Sequence, residues 1–579
     1  MKHRPAPRTR PQHHRRAARP IAALLCFALA FGSVLPPPVY AQSPNALPAL
    51  GDSASEDLSV GTEREIGVQI MRIVRRDPDY LDDPMLLEYV DNIWQPLVVA
   101  ARKVGNITEE IDLRYTFEPF LVRERSVNAF ALPGGFVGVH LGLIAMTVDR
   151  DELAAVLAHE LSHVTQRHIA RSIAVSKQAS ILGIVATLLG VLAASRATGP
   201  SGGNAAAAAV TGGRAAAIQA QLNFSRDMER EADRVGYGVL TEAGYSPAGM
   251  AAMFDKLENA SRLMDDGNYP YLRSHPLTVE RIGEARSRLE AANAPQYTGD
   301  ILEHAIAQAR ARVLMDPRVE SLRRMQDQDA DAVRARKAAP EAPAAAASQA
   351  ARERNARVEQ LPDVAVFGLG SVTQRLGAAY ASAFASTQLK DWKRADRALD
   401  IAYRIVRDEG ANDARAARAV RLLEVRSLLD RGDLDAALAA LAPLRAEVSR
   451  PVLLLQAQLA LALATRNPAS AQAELRNSED RLQTWVANRP LDALAWKALS
   501  DLWAINGQPL RALRADAENR YALGDLPGAI ERLRAGQRLA RTASASDYIE
   551  ASVIDARLRD ITAEMRAIAA AQKKGQLPS

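Results

Sequence analysis

Cysteine is almost missing from this chain. Cys26 is the only one in 579 residues, and it sits in an N-terminal stretch that reads as a removable leader. The remaining chain can therefore form no internal disulfide, and any metal it holds must be bound by imidazole and carboxylate rather than thiolate. Uninterrupted apolar runs are also short. Ile21 to Leu35 and residues 181–195 both fall below the ~20 residues that a membrane-spanning helix needs. A net excess of positive charge is confined to the first residues. The formal net charge is +5, but Lys2, Arg4, Arg8, Arg10, Arg15, Arg16 and Arg19 stand before residue 41 with no acid among them. The rest is close to balanced, which gives no electrostatic reason to expect nucleic acid as a partner. Aromatic residues make up 5 % of the chain against 48 % hydrophobic residues, so its cores are built chiefly from Ala, Leu and Val.

Residues 1–41 combine a basic start, an apolar centre and small residues at Val39 and Ala41. This is the pattern of a secretory signal peptide cut after Ala41. Arg15-Arg16 is poorly placed for twin-arginine export, so general secretion is expected. Residues 42–58 are rich in Ser, Pro and Gly and read as a flexible entry. Residues 59–300 mix helical periodicity with two β-like stretches, "IDLRYTFEPF" and "NAFALPGGFVGVHLGLI", the second turning at Gly134-Gly135. Within this span, 181–195 suits a core helix or a segment that grazes a membrane surface. Residues 301–327 continue as helix. Residues 328–360, centred on "AAPEAPAAAAS", read as a linker. Residues 361–579 are Ala/Leu/Arg-rich and helical. "STQLKDWKRADRAL", "LLDRGDLDAALAAL", "LATRNPASAQAEL" and "YALGDLPGAIERL" each place a tight turn between two helices. That theme resembles a degenerate tetratricopeptide (TPR) array.

One segment carries chemistry. In "LAAVLAHELSHVTQRHIARS" (153–172), Asp149 can cap a helix with Glu152 as its reciprocal partner. Leu153, Val156, Leu157, Leu161 and Val164 form a core stripe. His159 and His163 stand four apart, so both imidazoles project from one side of the helix. Two imidazoles at that spacing can grip one zinc ion, and Glu160 between them can serve as general base: H-E-x-x-H is the pattern of a metallopeptidase. Gln166 and Ile169 stand where a longer version of the pattern would place a glycine and a third histidine on the same stretch. His168 is then a surface residue or a support for a ligand. A third ligand is expected in "FSRDMEREADRVGY" (224–237). Glu229 can ligate while Asp233, four residues on, accepts the second N–H of an imidazole. Glu231 is a rival ligand that spacing alone leaves open.

"HELSH", "SRDMEREAD", "NAFALPGG" (128–135) and "SHPLTVERIGEAR" (274–286) occur together. In this combination residues 59–290 resemble the zinc peptidases that include HtpX and the CAAX prenyl proteases. The resemblance implies a mainly α, α+β zincin-type domain followed by an all-α TPR-like solenoid. It implies one Zn2+ per chain held by His159, His163 and Glu229, with Glu160 as base. It places His275 near the metal, where it can fill the open position and restrain activity, and Arg281 beside the site. Asn128 and the strand 128–139 would line a substrate cleft. With leader and tail included, the chain resembles periplasmic members of that family that act in outer-membrane protein assembly. It implies unfolded or stalled outer-membrane proteins as substrates and the β-barrel assembly machinery as the partner of the tail. The competing expectation is a periplasmic scaffold or chaperone with a structural or latent zinc site.

Overall fold

The computed structural model describes residues 58–175, 226–263, 269–292, 301–328, 371–409, 413–541 and 548–573. The leader, nearly all of the flexible entry and of the Ala/Pro linker, and the apolar run 181–195 lie outside these described residues. The first half comprises α1 (Val60–Val74), β1 (Tyr80–Leu81), α2 (Pro84–Lys103), α3 (Glu109–Arg114), β2 (Glu118–Val122), β3 (Ala129–Leu132), β4 (Phe136–His140), α4 (Leu141–Met146), α5 (Arg150–Thr165) and α6 (His168–Val175). After residue 225 come α7 (Arg226–Glu242), α8 (Ala248–Leu263), α9 (Pro270–Ser274), α10 (Val279–Ala292), α11 (Ile301–Met315) and α12 (Val319–Gln326).

The sheet is small and mixed, in the order β1-β2-β4-β3. β4 pairs in parallel with β2 and antiparallel with β3, so β3 is an edge strand. The expected turn at Gly134-Gly135 is present. Both glycines have positive φ, 80° and 88°, a region that L side chains avoid, and Leu132 faces Phe136 across the turn. The first β-like stretch becomes strand later than the alternation suggests, at Glu118, and the second ends sooner, at His140. Ile111–Arg114 is helical because the Thr108 hydroxyl accepts from the Ile111 N–H and Glu109 and Glu110 fill the first turn, a favourable helix start that outweighs a short period-2 pattern. Residues 141–146 likewise leave the sheet as α4.

α5 carries the H-E-x-x-H segment through the centre of this half. Asp149 caps it, accepting from the Glu152 N–H at 2.9 Å. The Glu152 side chain reaches one residue further back than a reciprocal cap requires: it accepts from the Val148 N–H at 2.6 Å and from Lys256. The expected apolar stripe is buried, yet so is every residue from Asp151 to Thr165. α2, α7, α8 and β3 enclose the helix on all sides, which is why small Ala side chains occupy so much of its circumference.

The second half is all helical: α13 (Val372–Gln388), α14 (Trp392–Glu409), α15 (Ala414–Asp430), α16 (Leu434–Leu441), α17 (Arg450–Arg466), α18 (Pro468–Asn488), α19 (Ala493–Ile505), α20 (Pro509–Ala522), α21 (Leu526–Ala540) and α22 (Tyr548–Lys573). Successive helices pack in pairs, as in a TPR-like solenoid. Lys390, Gly432 and Gly524 turn with positive φ, while Asn467 caps α18; these turns fall in the four repeated themes. Ala378, Ala379, Ala395, Ala398 and Ala402 are fully buried at the first helix contacts, where a methyl group permits close approach. The described residues form one compact unit. Arg310 of α11 grips Asp83 with two bonds of 2.7 Å, Arg418 of α15 reaches Glu88 at 2.7 Å, and Arg450 of α17 reaches Asp82 at 2.5 Å. Arg72 of α1 pairs with Glu564 of α22. Helices on both sides of the linker thus share ion pairs with α1 and with the start of α2.

Candidate metal centre

Three segments far apart in sequence meet on one side of α5. His159 and His163 turn their Nε2 atoms toward each other, 2.9 Å apart. α7 brings Glu229, whose Oε2 lies 3.4 Å from His159 Nε2 and whose Oε1 lies 3.4 Å from His163 Nε2. The loop after α9 brings His275, its Nδ1 3.3 Å from His159 Nε2 and 3.0 Å from Glu229 Oε1. All four side chains are buried, and together they can hold one metal ion. Four atoms bonded at about 2.0–2.1 Å to a common tetrahedral centre lie about 3.3–3.4 Å from one another; the Glu229–histidine Nε2 and His159–His275 separations match this, while His159–His163 and Glu229–His275 are shorter. The donor set, three imidazoles and a carboxylate without sulfur, suits zinc. α7 comes this near because residue 236 is glycine: a Cβ there would stand 3.1 Å from the Ala158 carbonyl oxygen.

Several polar groups support these four. His159 Nδ1 lies 2.9 Å from Asp233 Oδ1, close but bent. Arg281 donates to both oxygens of Asp233, at 2.6 and 2.8 Å, and to the Pro276 carbonyl at 2.8 Å, and its charge stands 2.9 Å from Glu229 Oε2. One guanidinium thus fixes a ligand candidate, the carboxylate behind another, and the residue after His275. Glu231 does not face the cluster: it accepts from Arg171 at 2.8 Å and lies 3.2 Å from His168 Nε2. His168 is fully buried rather than on the surface, with Nδ1 2.8 Å from His163 Nδ1. Tyr271 stacks on the His275 ring at 4.6 Å, and its backbone N–H donates to Val127 just before β3. Sequence reasoning assigned nothing to Tyr271 or Arg171, because a lone Tyr before a His or a lone Arg in a helix has no distinguishing pattern.

Glu160 stands beside this cluster. It is fully buried, its two carboxylate oxygens have no hydrogen-bond partner among the described residues, and His275 Nε2 is 3.4 Å away. The Ala131 N–H of β3 is aimed at it, short of a full hydrogen bond. A carboxylate buried this way has capacity for a proton donor that the described residues do not provide. Burial pushes its pKa above the usual range, and the nearby His275 and His159 only partly pull it back. For His163, burial pushes the pKa well below the usual histidine range. At His159 burial opposes charge, but Asp233 and Glu229 prevail and hold the pKa at about 9. Burial also opposes ionisation of Glu229, yet His275, His159 and His163 hold it far below the ordinary carboxylate range. Asn128 is buried at the start of β3, its side-chain oxygen without a partner among the described residues.

A mixed sheet, a buried H-E-x-x-H helix and a second helix supplying an acidic ligand candidate define the fold of a metalloprotease. Residues 101–289 match the family described as Peptidase family M48. The metalloprotease LoiP of Escherichia coli K12 is 30 % identical over 195 residues, 34 % of this chain and 70 % of that protein. This chain belongs to peptidase family M48. The β-barrel assembly-enhancing protease of Escherichia coli K12 is 33 % identical over 274 residues, covering 47 % of this chain and 53 % of that protein. The protein of the same name from Yersinia pestis is 34 % identical over 264 residues, 46 % and 51 % of the two lengths. The chain thus matches about half the length of these assembly-enhancing relatives.

Proposed function

We propose that this chain is a periplasmic zinc-dependent endopeptidase, with chaperone-like activity, in the quality control and assembly of outer-membrane β-barrel proteins. The observation that carries the reading is the convergence of His159, His163 and Glu229 around one point beside the buried carboxylate of Glu160, which has no hydrogen-bond partner among the described residues. The names of the assembly-enhancing relatives support the cellular context, and the leader pattern of residues 1–41 supports export.

His159, His163 and Glu229 would hold the metal. When bound, zinc supplies Lewis-acid polarisation of the scissile carbonyl and of the attacking water. Glu160 takes a proton from that water and returns it to the leaving amine, a task suited to a carboxyl whose pKa burial has raised. Asp233 orients the His159 ring, and Arg281 holds Asp233 and Glu229. β3, an edge strand beside α5, offers unpaired backbone groups to which an extended substrate can add as another strand, with Asn128 at its entrance. The TPR-like helices would dock the assembly machinery, and 181–195 would touch the membrane surface.

His275 supports a second reading. It raises the protein ligand set to four, the usual count of a structural zinc site. In that case the chain is a scaffold or chaperone, or a protease held latent until His275 leaves. Cleavage of an unfolded β-barrel protein by the purified mature chain separates the two. Glu160→Gln is expected to retain zinc and lose at least about a hundredfold in rate. His275→Ala is expected to raise cleavage of the chain itself and of the substrate, and adding Glu160→Gln should abolish the gain. Unchanged behaviour in every variant would favour the scaffold.

A further inference from the structure

His168 has no task in the mechanism above, yet it is fully buried against a ligand candidate. Its position is not what a continuous helix would produce. Residues five apart on an α-helix point about 140° apart, so an unbroken α5 would send His168 away from His163. The chain breaks instead at Arg167, whose φ is 52°, a conformation that is costly for a side chain with a Cβ. Arg167 is held there by Glu63 of α1, which accepts from its Nε at 3.0 Å; both side chains are buried. The result of this strained turn is that α6 starts with His168 folded back onto His163.

The contacts then specify hydrogens. His163 directs Nε2 at the other ligand atoms, so in the ligating tautomer its hydrogen is on Nδ1. His168 Nδ1, 2.8 Å away, must accept it, which leaves the His168 hydrogen on Nε2. That nitrogen meets Glu231 Oε2 at 3.2 Å, and Arg171 braces the same oxygen at 2.8 Å. α7 therefore supports the two histidine ligands differently. Asp233 stands directly behind His159, whereas Glu231, two residues earlier, stands behind His163 at one remove.

We propose that His168 is a positioning residue for the metal ligand His163, the middle member of a histidine–histidine–carboxylate chain that sets the His163 tautomer and ends at Glu231. The inference rests on the zinc-site reading and deepens it. Groups hydrogen-bonded behind a ligand typically contribute 10–100-fold to metal affinity, so their loss is read in binding without any assay of cleavage.

The test is the zinc dissociation constant of the full mature chain, measured by competition with a chromogenic chelator, alongside the melting temperature of the metal-free protein. His168→Ala is expected to weaken zinc binding about 10–100-fold. Glu231→Ala, at a partly exposed position that disturbs packing less, should weaken it in the same direction. His168→Gln should recover much of the loss, because its amide oxygen can accept from His163 while its NH2 donates to Glu231. A purely structural His168 would instead lower the metal-free melting temperature in the Ala and Gln variants alike, with no selective recovery of affinity. Wild-type zinc affinity in Glu231→Ala and in whichever His168 variants fold would overturn the inference and leave the zinc site standing. A wild-type chain that binds no stoichiometric zinc would overturn both.

Discussion

Arg281 shows how much of the site depends on one side chain. It is buried, its donors are divided between Asp233 and the Pro276 carbonyl, and it forms an ion pair with Glu229. Replacing it with Met would leave two buried carboxylates without their cation, the situation that makes breaking a buried ion pair expensive. Arg281→Met is expected to lower the stability of the metal-free protein by about 3–5 kcal/mol. Zinc should restore part of the loss by neutralising Glu229, and urea unfolding with and without zinc reads both effects. The histidine pair was legible at this scale, since four-residue spacing on a helix is a local property. Glu229 was not separable from Glu231 by spacing; a family resemblance favoured it, and the packing of α7 turns it toward the imidazoles. Arg281 was legible only as a family arginine. That it also reaches Pro276, and so restrains the His275 loop, depends on how α10 docks.

Among the elements, the crossing of α5 and α7 decides whether the two halves of the cluster meet. Gly236 permits the approach, with a Cβ at that site 3.1–3.2 Å from the Ala158 carbonyl and the His159 N. Those neighbours are helix backbone and cannot rotate aside. Gly236→Ala is expected to cost about 1–3 kcal/mol by overpacking and to weaken zinc binding, because α7 must shift with Glu229 and Asp233 on it. Isothermal titration with zinc beside thermal melting checks the pair of effects, and lost stability with unchanged affinity would contradict it. Element type was mostly readable from local signals: Asp149 before an apolar helix, two glycines in a β turn, the tight turns of the tail. Errors arose where two signals conflicted, as at Ile111–Arg114, where a capping Thr108 and two acids override a strand-like alternation.

For the whole molecule, the notable contacts are those between the peptidase region and helices beyond it. Arg310, Arg418 and Arg450 engage Asp83, Glu88 and Asp82. Asp83 is buried; burial opposes its charge, but Arg310 prevails and its pKa lies below the ordinary value. A carboxylate depressed in the folded state stabilises above its unfolded pKa of about 3.9 and loses that contribution as pH falls through the folded value. The Asp83 contribution is therefore expected to be constant above about pH 5 and to disappear in acid, in a stability–pH profile from chemical denaturation. Asp83→Asn should lower neutral-pH stability by about 3–5 kcal/mol and flatten the acid limb; an unchanged acid limb would remove Asp83 from the acid response.

What the chain order settled alone was local: the histidine pair on one helix, the glutamate between them, the cap at Asp149, the glycine turn, and a helical tail with recurring tight turns. Each depends on residues within about five positions of one another, where backbone geometry leaves few choices. Only the tertiary structure decided that Glu229 faces the imidazole pair and Glu231 does not. It alone folded His168 back through a strained Arg167, and it alone joined Arg450 to Asp82 across hundreds of residues. Such meetings depend on how whole helices pack, and that packing is set by the summed burial of many side chains rather than by any short pattern.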